Sequence, residues 1–335
     1  MKIGKGAQVR TLLSSLVEGV VKKWRGRKTV RHKSDKAHFL NGQGTEFKKL
    51  GKGYWGSVSQ FFTGNEGPLK VVKKIDIKNY SDKEVKILER LGGHEHCVSL
   101  EKEWRDDKYH YIGMEDAGLD IGRLVYRKHG AVGVYKKTNP FVALFRRGGG
   151  FRAIDEVKSE KLFFKSLLFQ SLQGVGHMHE KQIVHRDIKP SNIMITPVGQ
   201  VRVGDFGCAT EVDQTTRFRG DIRYQPPETS KFRRGSYNEK SDIWMLGATM
   251  TEMLLGKSAI MGFFRIFPRS IQSIFRRIDK AEGAGLISRD TGELLKSMLA
   301  ANPADRPSAQ ELLHHEYFQS DLEKLNQLKK AWGKD

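Results

Sequence analysis

The chain has 335 residues, of which 38% are hydrophobic and 29% are charged, a composition typical of a globular protein with about two domains. No apolar run approaches the roughly 20 residues that span a bilayer. No small-residue cleavage site follows the N-terminal apolar stretch, so we expect no secretory signal. Cys97 and Cys208 are the only cysteines, which predicts no disulfide or metal framework and favours the reducing cytoplasm.

The net charge of +20 is concentrated in two segments of the chain. Residues 1–36 contain eleven Lys and Arg residues against two acidic ones, and residues 120–155 contain eight against two. A basic surface attracts phosphate-rich or acidic partners through long-range electrostatic steering. The alternative is a solvated surface that only keeps the protein soluble. The charge therefore favours an anionic partner without identifying one.

Residues 1–44 are predicted to form an extension ahead of the first glycine-rich segment. Apolar residues recur at helical spacing between residues 11 and 24, which predicts an amphipathic helix, and a basic run follows it. A basic amphipathic helix suits an anionic membrane surface or the groove of a partner protein. A helix packed on the body of the same chain is the alternative, and the pattern does not decide between them.

A glycine-rich segment, Leu50–Val58 with the sequence LGKGYWGSV, predicts a strand, a tight turn and a second strand. Glycines allow backbone N–H groups to approach phosphate groups closely, because no Cβ atom intervenes. Lys73 follows fifteen residues after Val58, in an apolar run that predicts the next strand. Lys74 is the local alternative for a lysine that would reach the phosphate groups. Neighbouring side chains of a strand point to opposite faces, so only one of the two can do so, and the spacing favours Lys73.

Ser81–Glu84, with the sequence SDKE, begins a stretch in which apolar residues recur at helical spacing as far as Leu91. Two interpretations of Glu84 stay open. Its carboxylate can pair with Lys73, which precedes it by eleven positions. It can instead accept a hydrogen bond from the Ser81 backbone N–H in a capping box.

The middle of the chain predicts a connection followed by a long helix. Tyr109–Gly118 is typical of a strand that ends in a turn. Residues 119–156 are unusually basic and contain a run of three glycines, which predicts an inserted hairpin or loop at about 129–156. Helical periodicity returns at Val157 and continues through Val175.

Two carboxylates, a lysine and a carboxamide occur at fixed offsets in the sequences IVHRDIKPSN, which ends at Asn192, and GDFG, which ends at residue 207. Phosphoryl transfer requires metal ions on the phosphates, a positioned hydroxyl group, and positive charge where negative charge develops. Asp187, Lys189, Asn192 and Asp205 are the residue types that serve these purposes.

These motifs, in this order over roughly residues 45–318, resemble those of the eukaryotic-type protein kinases of the Ser/Thr type. The resemblance implies an α+β bilobal fold. Its N-lobe, at 45–118, is an antiparallel sheet plus one helix, its C-lobe, at 119–318, is mainly helical, and a helical tail follows at 319–335. It also implies that ATP and Mg²⁺ bind in the cleft, and that the γ-phosphoryl group is transferred to protein Ser and Thr hydroxyls, including those of the kinase itself.

The resemblance assigns a role to each candidate site residue. Asp187 would orient the attacking hydroxyl or accept its proton, and Lys189 would place a cation near the transferred phosphoryl group. Asn192 and Asp205 would bind Mg²⁺. Met114 would lie behind the adenine, whose edge the hinge backbone would bind. The implied nucleotide-binding residues are Gly51, Lys52, Gly53, Tyr54, Trp55, Gly56, Val58, Lys73, Glu84, Met114, Glu115 and Ala117.

Other positions would support the site. The resemblance implies a buried ion pair between Glu228 and Arg306, and an Asp242 that anchors the backbone of the catalytic loop. His185 would be a packed ring, and Arg186 would be available for a phosphate on the activation segment. Thr215 and Thr216 are the candidate acceptors of that phosphate. An unphosphorylated segment is the alternative, with Asp213 bonded by Arg217 and Arg219.

The chain departs from the family pattern at Asp221, where Ser/Thr kinases usually carry threonine after the glycine. An aspartate there would put a second carboxylate near Asp187, and like charges destabilise one another. We expect Lys189 to offset that repulsion.

Three functions are compatible with the sequence. The leading hypothesis is a kinase that acts on protein substrates, with the basic charge favouring acidic ones. A scaffold that binds partners without turnover is the second, and a binder of anionic surfaces is the third. The expected partners include an anionic membrane surface, through residues 1–36, but no specific nucleic acid, because no aromatic platform interleaves the basic residues. We expect a cytoplasmic monomer, and the basic N-terminus would equally serve a kinase that is exported into a host cell.

Overall fold

The computed structural model describes residues 45–53, 56–62, 69–122, 153–196, 199–212, 219–229, 237–256, 260 and 270–326. Several sequence predictions lie outside these residues. They concern the helix at 11–24, Tyr54 and Trp55, most of the insertion at 129–156, Asp213, Thr215, Thr216 and Arg217, and the tail beyond residue 326.

The N-terminal lobe is built on a five-stranded antiparallel sheet with the strand order β1-β2-β3-β5-β4. Its strands are β1 (Thr45–Gly53), β2 (Gly56–Phe62), β3 (Leu69–Asp76), β4 (Leu100–Arg105) and β5 (Tyr109–Glu115). Gly53 pairs with Gly56 at the turn between β1 and β2. Gly56 has a positive φ of 152°, and a Cβ there would overlap the Lys74 carbonyl oxygen. Glycine is therefore required at the first residue of β2, where the backbone lies against β3.

The sheet register brings Val58, Lys73 and Ile112 side by side on three neighbouring strands. Directly paired residues of antiparallel strands project to the same face, and alternate residues of one strand share a face. Val58, Lys73, Ile112 and Met114 therefore lie on one face of the sheet. Lys74 lies on the opposite face.

The one long helix among the described residues of this lobe, α1 (Lys83–Leu91), packs on the lysine face through an apolar stripe. The stripe consists of Val85, Ile87, Leu88 and Leu91, all of which are buried. The helix ends at Gly92, whose φ of 64° lies in the left-handed region that glycine adopts without steric cost. Only a short 3₁₀ turn at Ile77–Asn79 separates β3 from this helix. The helix therefore begins close enough to β3 for Glu84 to reach Lys73.

The C-terminal lobe is mainly helical. Its helices are α2 (Ala153–Glu180), α3 (Glu239–Leu255), α4 (Ile271–Gly283), α5 (Arg289–Met298), α6 (Ala309–Leu313) and α7 (Glu316–Gln319). Short strands connect the lobes and carry the site loops, at β6 (Leu119–Asp120), β7 (Ile183–Val184), β8 (Ile193–Ile195), β9 (Val201–Val203) and β10 (Thr210–Glu211). β6, β8 and β9 form one sheet, and β7 pairs with β10.

Helix α3 is the centre of the C-terminal lobe, because every residue from 241 to 254 is buried. Asn238 caps its first turn, accepting hydrogen bonds from the backbone N–H groups of Lys240 and Ser241. This helix holds Asp242 in the core beneath the catalytic loop. None of the helices in the described part of the chain has the length and apolarity needed to cross a membrane.

This arrangement confirms the predicted α+β bilobal fold. In the described residues, an antiparallel sheet with one long helix precedes a mainly helical lobe. The loop that contains Asp187 connects β7 to β8, and the loop that contains Asp205 connects β9 to β10.

Candidate active site

Lys73 is the cation at the centre of the candidate site. Its ammonium group donates to both carboxylate oxygens of Glu84, at 2.8 and 2.7 Å, and lies 3.4 Å from Asp205 Oδ1. Lys73 and Glu84 are both buried, whereas about half of the Asp205 side chain is exposed. Asp82 is the N-cap residue of α1 and makes no side-chain capping bond. The structure thus resolves the two interpretations of Glu84 in favour of the ion pair.

The electrostatics of this cluster follow from burial and proximity. Desolvation alone would lower the pKa of Lys73, but the carboxylates of Glu84 and Asp205 raise it above the ordinary lysine value. Burial raises the pKa of Glu84, and the Lys73 ammonium counteracts only part of that effect. Burial also acts to raise the pKa of Asp205, but the positive charges around it, Lys73 foremost, hold it below the ordinary value. Lys73 is therefore a charged cation at neutral pH, and Asp205 is an anion.

Lys74 is separated from this cluster by the alternation of the strand. Its ammonium lies 3.7 Å from the centroid of the Tyr109 ring, a cation–π contact on the other face of the sheet. The two adjacent lysines therefore have different environments. Lys73 faces two carboxylates, and Lys74 faces aromatic rings.

Asp205 reaches the cluster because its backbone is left-handed, with a φ of 61°. The following Phe206 is buried and packs on the His185 ring at a centroid distance of 5.4 Å. Gly207 then passes close to the charges, since a Cβ there would lie 3.1 Å from Lys73 Nζ and 3.4 Å from Glu84 Oε2. The buried phenylalanine thus anchors the loop, and the glycine leaves room for the ion cluster.

The carboxylate of Asp187 accepts hydrogen bonds from three sides. Lys189 Nζ lies 2.6 Å from Oδ2, and the Asn192 amide donates to Oδ2 at 3.2 Å and to the Asp187 carbonyl oxygen at 2.8 Å. The backbone N–H of Asp221 donates to Oδ1 at 2.8 Å. These donors fix the orientation of Asp187, which is itself buried.

Asp242 holds the backbone of the catalytic loop from below. Its carboxylate accepts the backbone N–H groups of His185 at 2.8 Å and of Arg186 at 3.0 Å, and it also bonds His179 and Tyr237. Burial alone would raise the pKa of Asp242, but these bonds, that of His179 first, keep it below the ordinary value. Arg186 adopts a left-handed φ of 67°, and its Nε donates to the Cys208 carbonyl oxygen at 2.6 Å.

The hinge that follows β5 is tied to both lobes. Met114 and Ala117 are buried, and the Glu115 carboxylate accepts the Ser99 backbone N–H at 2.9 Å and pairs with Arg202 of β9. Gln60 of β2 donates to the Asp116 carboxylate at 2.6 Å. Neither Arg202 nor Gln60 was identified from the sequence. Gln60 could have been, because it comes two residues after Val58 in the same strand and shares its face.

Asp221 is near Asp187, as expected, and Lys189 offsets its negative charge only in part, because Arg223 contributes more. The carboxylate of Asp221 accepts two bonds from Arg223 Nε, at 2.8 and 3.0 Å, and a further one from the same guanidinium. Burial opposes ionisation, but Arg223 first and Lys189 to a smaller extent hold the pKa of Asp221 below its ordinary value. Arg223 lies only two positions from Asp221, and its role was not predicted from the sequence.

The predicted ion pair between Glu228 and Arg306 is present and buried. The guanidinium donates to the two carboxylate oxygens at 2.9 and 2.7 Å. It also donates to the carbonyl oxygens of Lys240 and Ala300, at 2.9 and 2.8 Å. This pair ties the segment after Asp221 to the end of the domain.

The donor set fits a hard divalent cation bound together with a phosphate chain. Asp205 offers a partly exposed carboxylate on the same side as Lys73. The Asn192 NH₂ group donates to Asp187, and its side-chain oxygen Oδ1 accepts the Ser191 hydroxyl at 3.3 Å, so Oδ1 is the Asn192 atom that could also bind a metal. The described residues contain no cluster of three His, Cys, Asp or Glu that would form an all-protein metal site. Mg²⁺ commonly binds through one or two protein oxygens plus phosphates and water.

Not every predicted nucleotide-binding residue can be placed. Gly51 and Gly56 lie in β1 and β2, with Gly51 paired to Val58, so both predicted strands of the glycine-rich segment are present. Tyr54, Trp55 and the side chain of Lys52 lie outside the described residues.

Comparison with known proteins agrees with this geometry. The family model described as the protein kinase domain matches residues 45–318. A probable serine/threonine-protein kinase of Dictyostelium discoideum is 28% identical over 292 residues, which cover 83% of this chain and 51% of the relative. A Wee1-like protein kinase of Oryza sativa subsp. japonica is 29% identical over 283 residues, covering 82% and 46%. The mitogen-activated protein kinase kinase kinase YODA of Arabidopsis thaliana is 27% identical over 287 residues, covering 83% and 30%.

The chain spans about half the length, or less, of these curated relatives. The family model nevertheless covers most of this chain, from the first strand of the sheet to the last short helices. Its limits enclose the ion cluster around Lys73 and the loop that carries Asp187. The chain therefore belongs to the protein kinase domain family.

Proposed function

We propose that this protein is an enzyme that transfers the γ-phosphoryl group of ATP, with Mg²⁺, to Ser and Thr hydroxyl groups of protein substrates and of itself. The observation that carries the proposal is the position of Lys73, whose ammonium bonds Glu84 and also faces Asp205. A cation and a partly exposed carboxylate this close together would suit one metal–triphosphate group, with Lys73 binding phosphate and Asp205 binding the metal. The relatives named as kinases support the same activity.

Each side chain would contribute one physical effect. Glu84 holds Lys73 in a single orientation, from which the ammonium can bind the phosphates next to the one transferred. The Asp205 carboxylate and the Asn192 side-chain oxygen Oδ1 would hold Mg²⁺, which supplies positive charge at the phosphate oxygens. Electrostatic stabilisation is strong in such a site because the donors are fixed before the reaction begins.

Asp187 would orient the attacking hydroxyl group and receive its proton. Its carboxylate is already held by Lys189 and by the Asp221 N–H, so little reorganisation is needed. Lys189 would neutralise negative charge on the transferred group, because it lies beside the carboxylate that faces that group.

The scaffold hypothesis relied on two departures from the family pattern, and the structure accommodates both. The short connection from Lys73 to Glu84 still allows a bidentate ion pair. The extra carboxylate of Asp221 is neutralised by Arg223. Neither departure therefore disables the site.

The remaining proposals concern the whole protein. We propose a cytoplasmic, monomeric kinase with acidic protein substrates, whose residues 1–36 bind an anionic membrane surface; export into a host cell is the alternative location. Salt-sensitive sedimentation with anionic vesicles, lost on deletion of residues 1–36, would support the membrane contact. Vesicle binding that survives the deletion would contradict it.

The test of activity is phosphate transfer from labelled ATP, to the protein itself and to a generic basic or acidic protein. We expect label with wild type and none with Asp187→Asn. Lys73→Met and Lys74→Met form a matched pair, because the adjacent lysines lie on opposite faces of β3. The first should abolish transfer and the second should leave it nearly unchanged. Equal activity of wild type and Asp187→Asn would contradict the proposal.

A further inference from the structure

The backbone at residues 220 and 221 is packed directly against the catalytic loop. The Asp221 N–H donates to Asp187 Oδ1 at 2.8 Å. A Cβ on Gly220 would overlap the Arg186 carbonyl oxygen and lie 3.0 Å from Asp187 Oδ1. The chain therefore reaches Asp187 through its main chain, and the side chain of residue 221 starts next to the catalytic carboxylate.

The Asp221 carboxylate is held by a fork of hydrogen bonds from Arg223. Nε donates to both carboxylate oxygens, one Nη donates to Oδ2, and the Arg223 backbone N–H donates to Oδ1 at 3.1 Å. The Asp221 side chain is 15% exposed and that of Arg223 is 36% exposed. Bidentate pairing of guanidinium with carboxylate is directional as well as strong, so it fixes where the carboxylate points.

Without this fork, the Asp221 carboxylate would be a competitor inside the site. Lys189 also interacts electrostatically with Asp221, and its ammonium is bonded to Asp187 Oδ2 at 2.6 Å. A released carboxylate would draw Lys189 away from Asp187 and would repel Asp187 itself. Both effects would disturb the residue that must orient the substrate hydroxyl.

We infer that Arg223 is a positioning residue for catalysis, which holds the Asp221 carboxylate away from Asp187 and Lys189 while the Asp221 N–H orients Asp187. The inference rests on the proposed kinase activity. Arg223 would act only through Asp221, to which its guanidinium is bonded, and not by binding the nucleotide or the reacting hydroxyl. Its effect should therefore appear in kcat and not in the KM for ATP.

A double-mutant cycle tests the inference. Steady-state kinetics are measured for wild type, Arg223→Ala, Asp221→Thr and the Asp221→Thr/Arg223→Ala double variant. Arg223→Ala should lower kcat by about tenfold or more with the KM for ATP changed less than about twofold. With threonine at 221, the same Arg223→Ala change should lower kcat by less than about threefold, because no carboxylate is released.

Two further variants separate positioning from folding. Arg223→Lys keeps the charge but cannot form the bidentate fork, so it should recover only part of the lost kcat. Arg289→Ala removes a guanidinium from an exposed ion pair with Glu293 on α5, and should leave kcat unchanged. Thermal unfolding confirms that each variant is folded. If Arg223→Ala does not fold, Arg223→Gln, which keeps a side-chain donor without the charge, takes its place in the cycle.

The outcomes distinguish the inference from the function on which it rests. An equal loss of kcat from Arg223→Ala in both backgrounds would overturn the positioning role, because Arg223 would then act independently of Asp221. An unchanged kcat in Arg223→Ala would overturn it as well. Absence of turnover in wild type would overturn the proposed function, and the inference with it.

Discussion

Arg306→Met is the most direct test of what holds the C-terminal lobe together. The guanidinium is fully buried, with 0% of its side chain exposed, and Glu228 is only 11% exposed. Methionine has a similar length but cannot pair with the carboxylate. The variant would leave Glu228 with the Ser241 hydroxyl, at 2.7 Å, as its remaining side-chain donor, and would strip the carbonyl oxygens of Lys240 and Ala300 of their side-chain donor.

The expected cost follows from the environment of the pair. Removing one partner of a buried ion pair leaves an uncompensated charge, which destabilises a protein by about 3–5 kcal/mol. The loss of the guanidinium hydrogen bonds to the Lys240 and Ala300 carbonyl oxygens places this case toward the upper end of that range. An Arg306→Met/Glu228→Leu double variant should be less destabilised than the single variant, because it buries no unpaired carboxylate.

The assay is urea unfolding at pH 7, followed by far-ultraviolet circular dichroism. The matched control is Arg289→Ala, which breaks an ion pair in which both side chains are largely exposed, and which should leave the unfolding midpoint essentially unchanged. If Arg306→Met shifted the midpoint no more than this control does, burial of the pair would not determine its energy, and the reasoning would be refuted.

Two other predictions concern acid stability and close backbone approach. The Asp321 carboxylate accepts hydrogen bonds from the buried Lys165, at 2.8 Å, and from Lys324. Burial alone would raise the pKa of Asp321, but the two lysines lower it to about 2. Because this lies below the unfolded value of about 3.9, Asp321 should contribute about 1–2 kcal/mol above pH 5, and lose it as the pH falls from about 4 to 2. Urea titrations from pH 7 to 3 should show the stability gap between wild type and Asp321→Asn narrowing below pH 4, and a constant gap would contradict the assignment. Gly220→Ala should reduce kcat by at least about tenfold, because the added Cβ would overlap the catalytic loop, whereas Gly283→Ala, with nothing within 4 Å of its Cβ, should not change kcat. Equal kcat values for the two glycine variants would be inconsistent with that overlap.

The parts of the site that were predictable from the sequence depend on local rules. Strand alternation separates Lys73 from Lys74, and the sheet register agrees with that separation. The fixed offsets from Asp187 to Lys189 and Asn192 carry over directly into contacts, because all three lie on one short loop. Contacts within one strand or one short loop can therefore be predicted from residue spacing.

The parts that were not predictable depend on contacts between distant segments. The bond from Gln60 to Asp116 joins residues 56 positions apart, and the pair of Arg202 with Glu115 joins residues 87 positions apart. Strand alternation could have placed Gln60 on the same face as Val58, but periodicity and motif spacing do not indicate which distant residue a side chain contacts. Glu84 was ambiguous for a related reason, because a capping box and an ion pair require the same sequence and only the position of β3 decides between them.

Asp221 shows a different kind of failure. The extra carboxylate was predicted from the sequence. Lys189, the cation already in the motif, was expected to offset its repulsion of Asp187. Arg223 lies on the same short 3₁₀ turn and reaches the carboxylate first. An arginine two positions after an aspartate at a turn is a local signal, and it could have been considered from the sequence.

The most direct test of the central claim is a crystal structure of the protein with Mg²⁺ and a non-hydrolysable ATP analogue. The account predicts that Lys73 Nζ lies about 3 Å from a phosphate oxygen while still bonded to Glu84, and that Asp205 and Asn192 oxygens lie about 2.1 Å from the metal. A nucleotide bound elsewhere, or in the cleft with Lys73 and Asp205 directed away from its phosphates, would contradict the account.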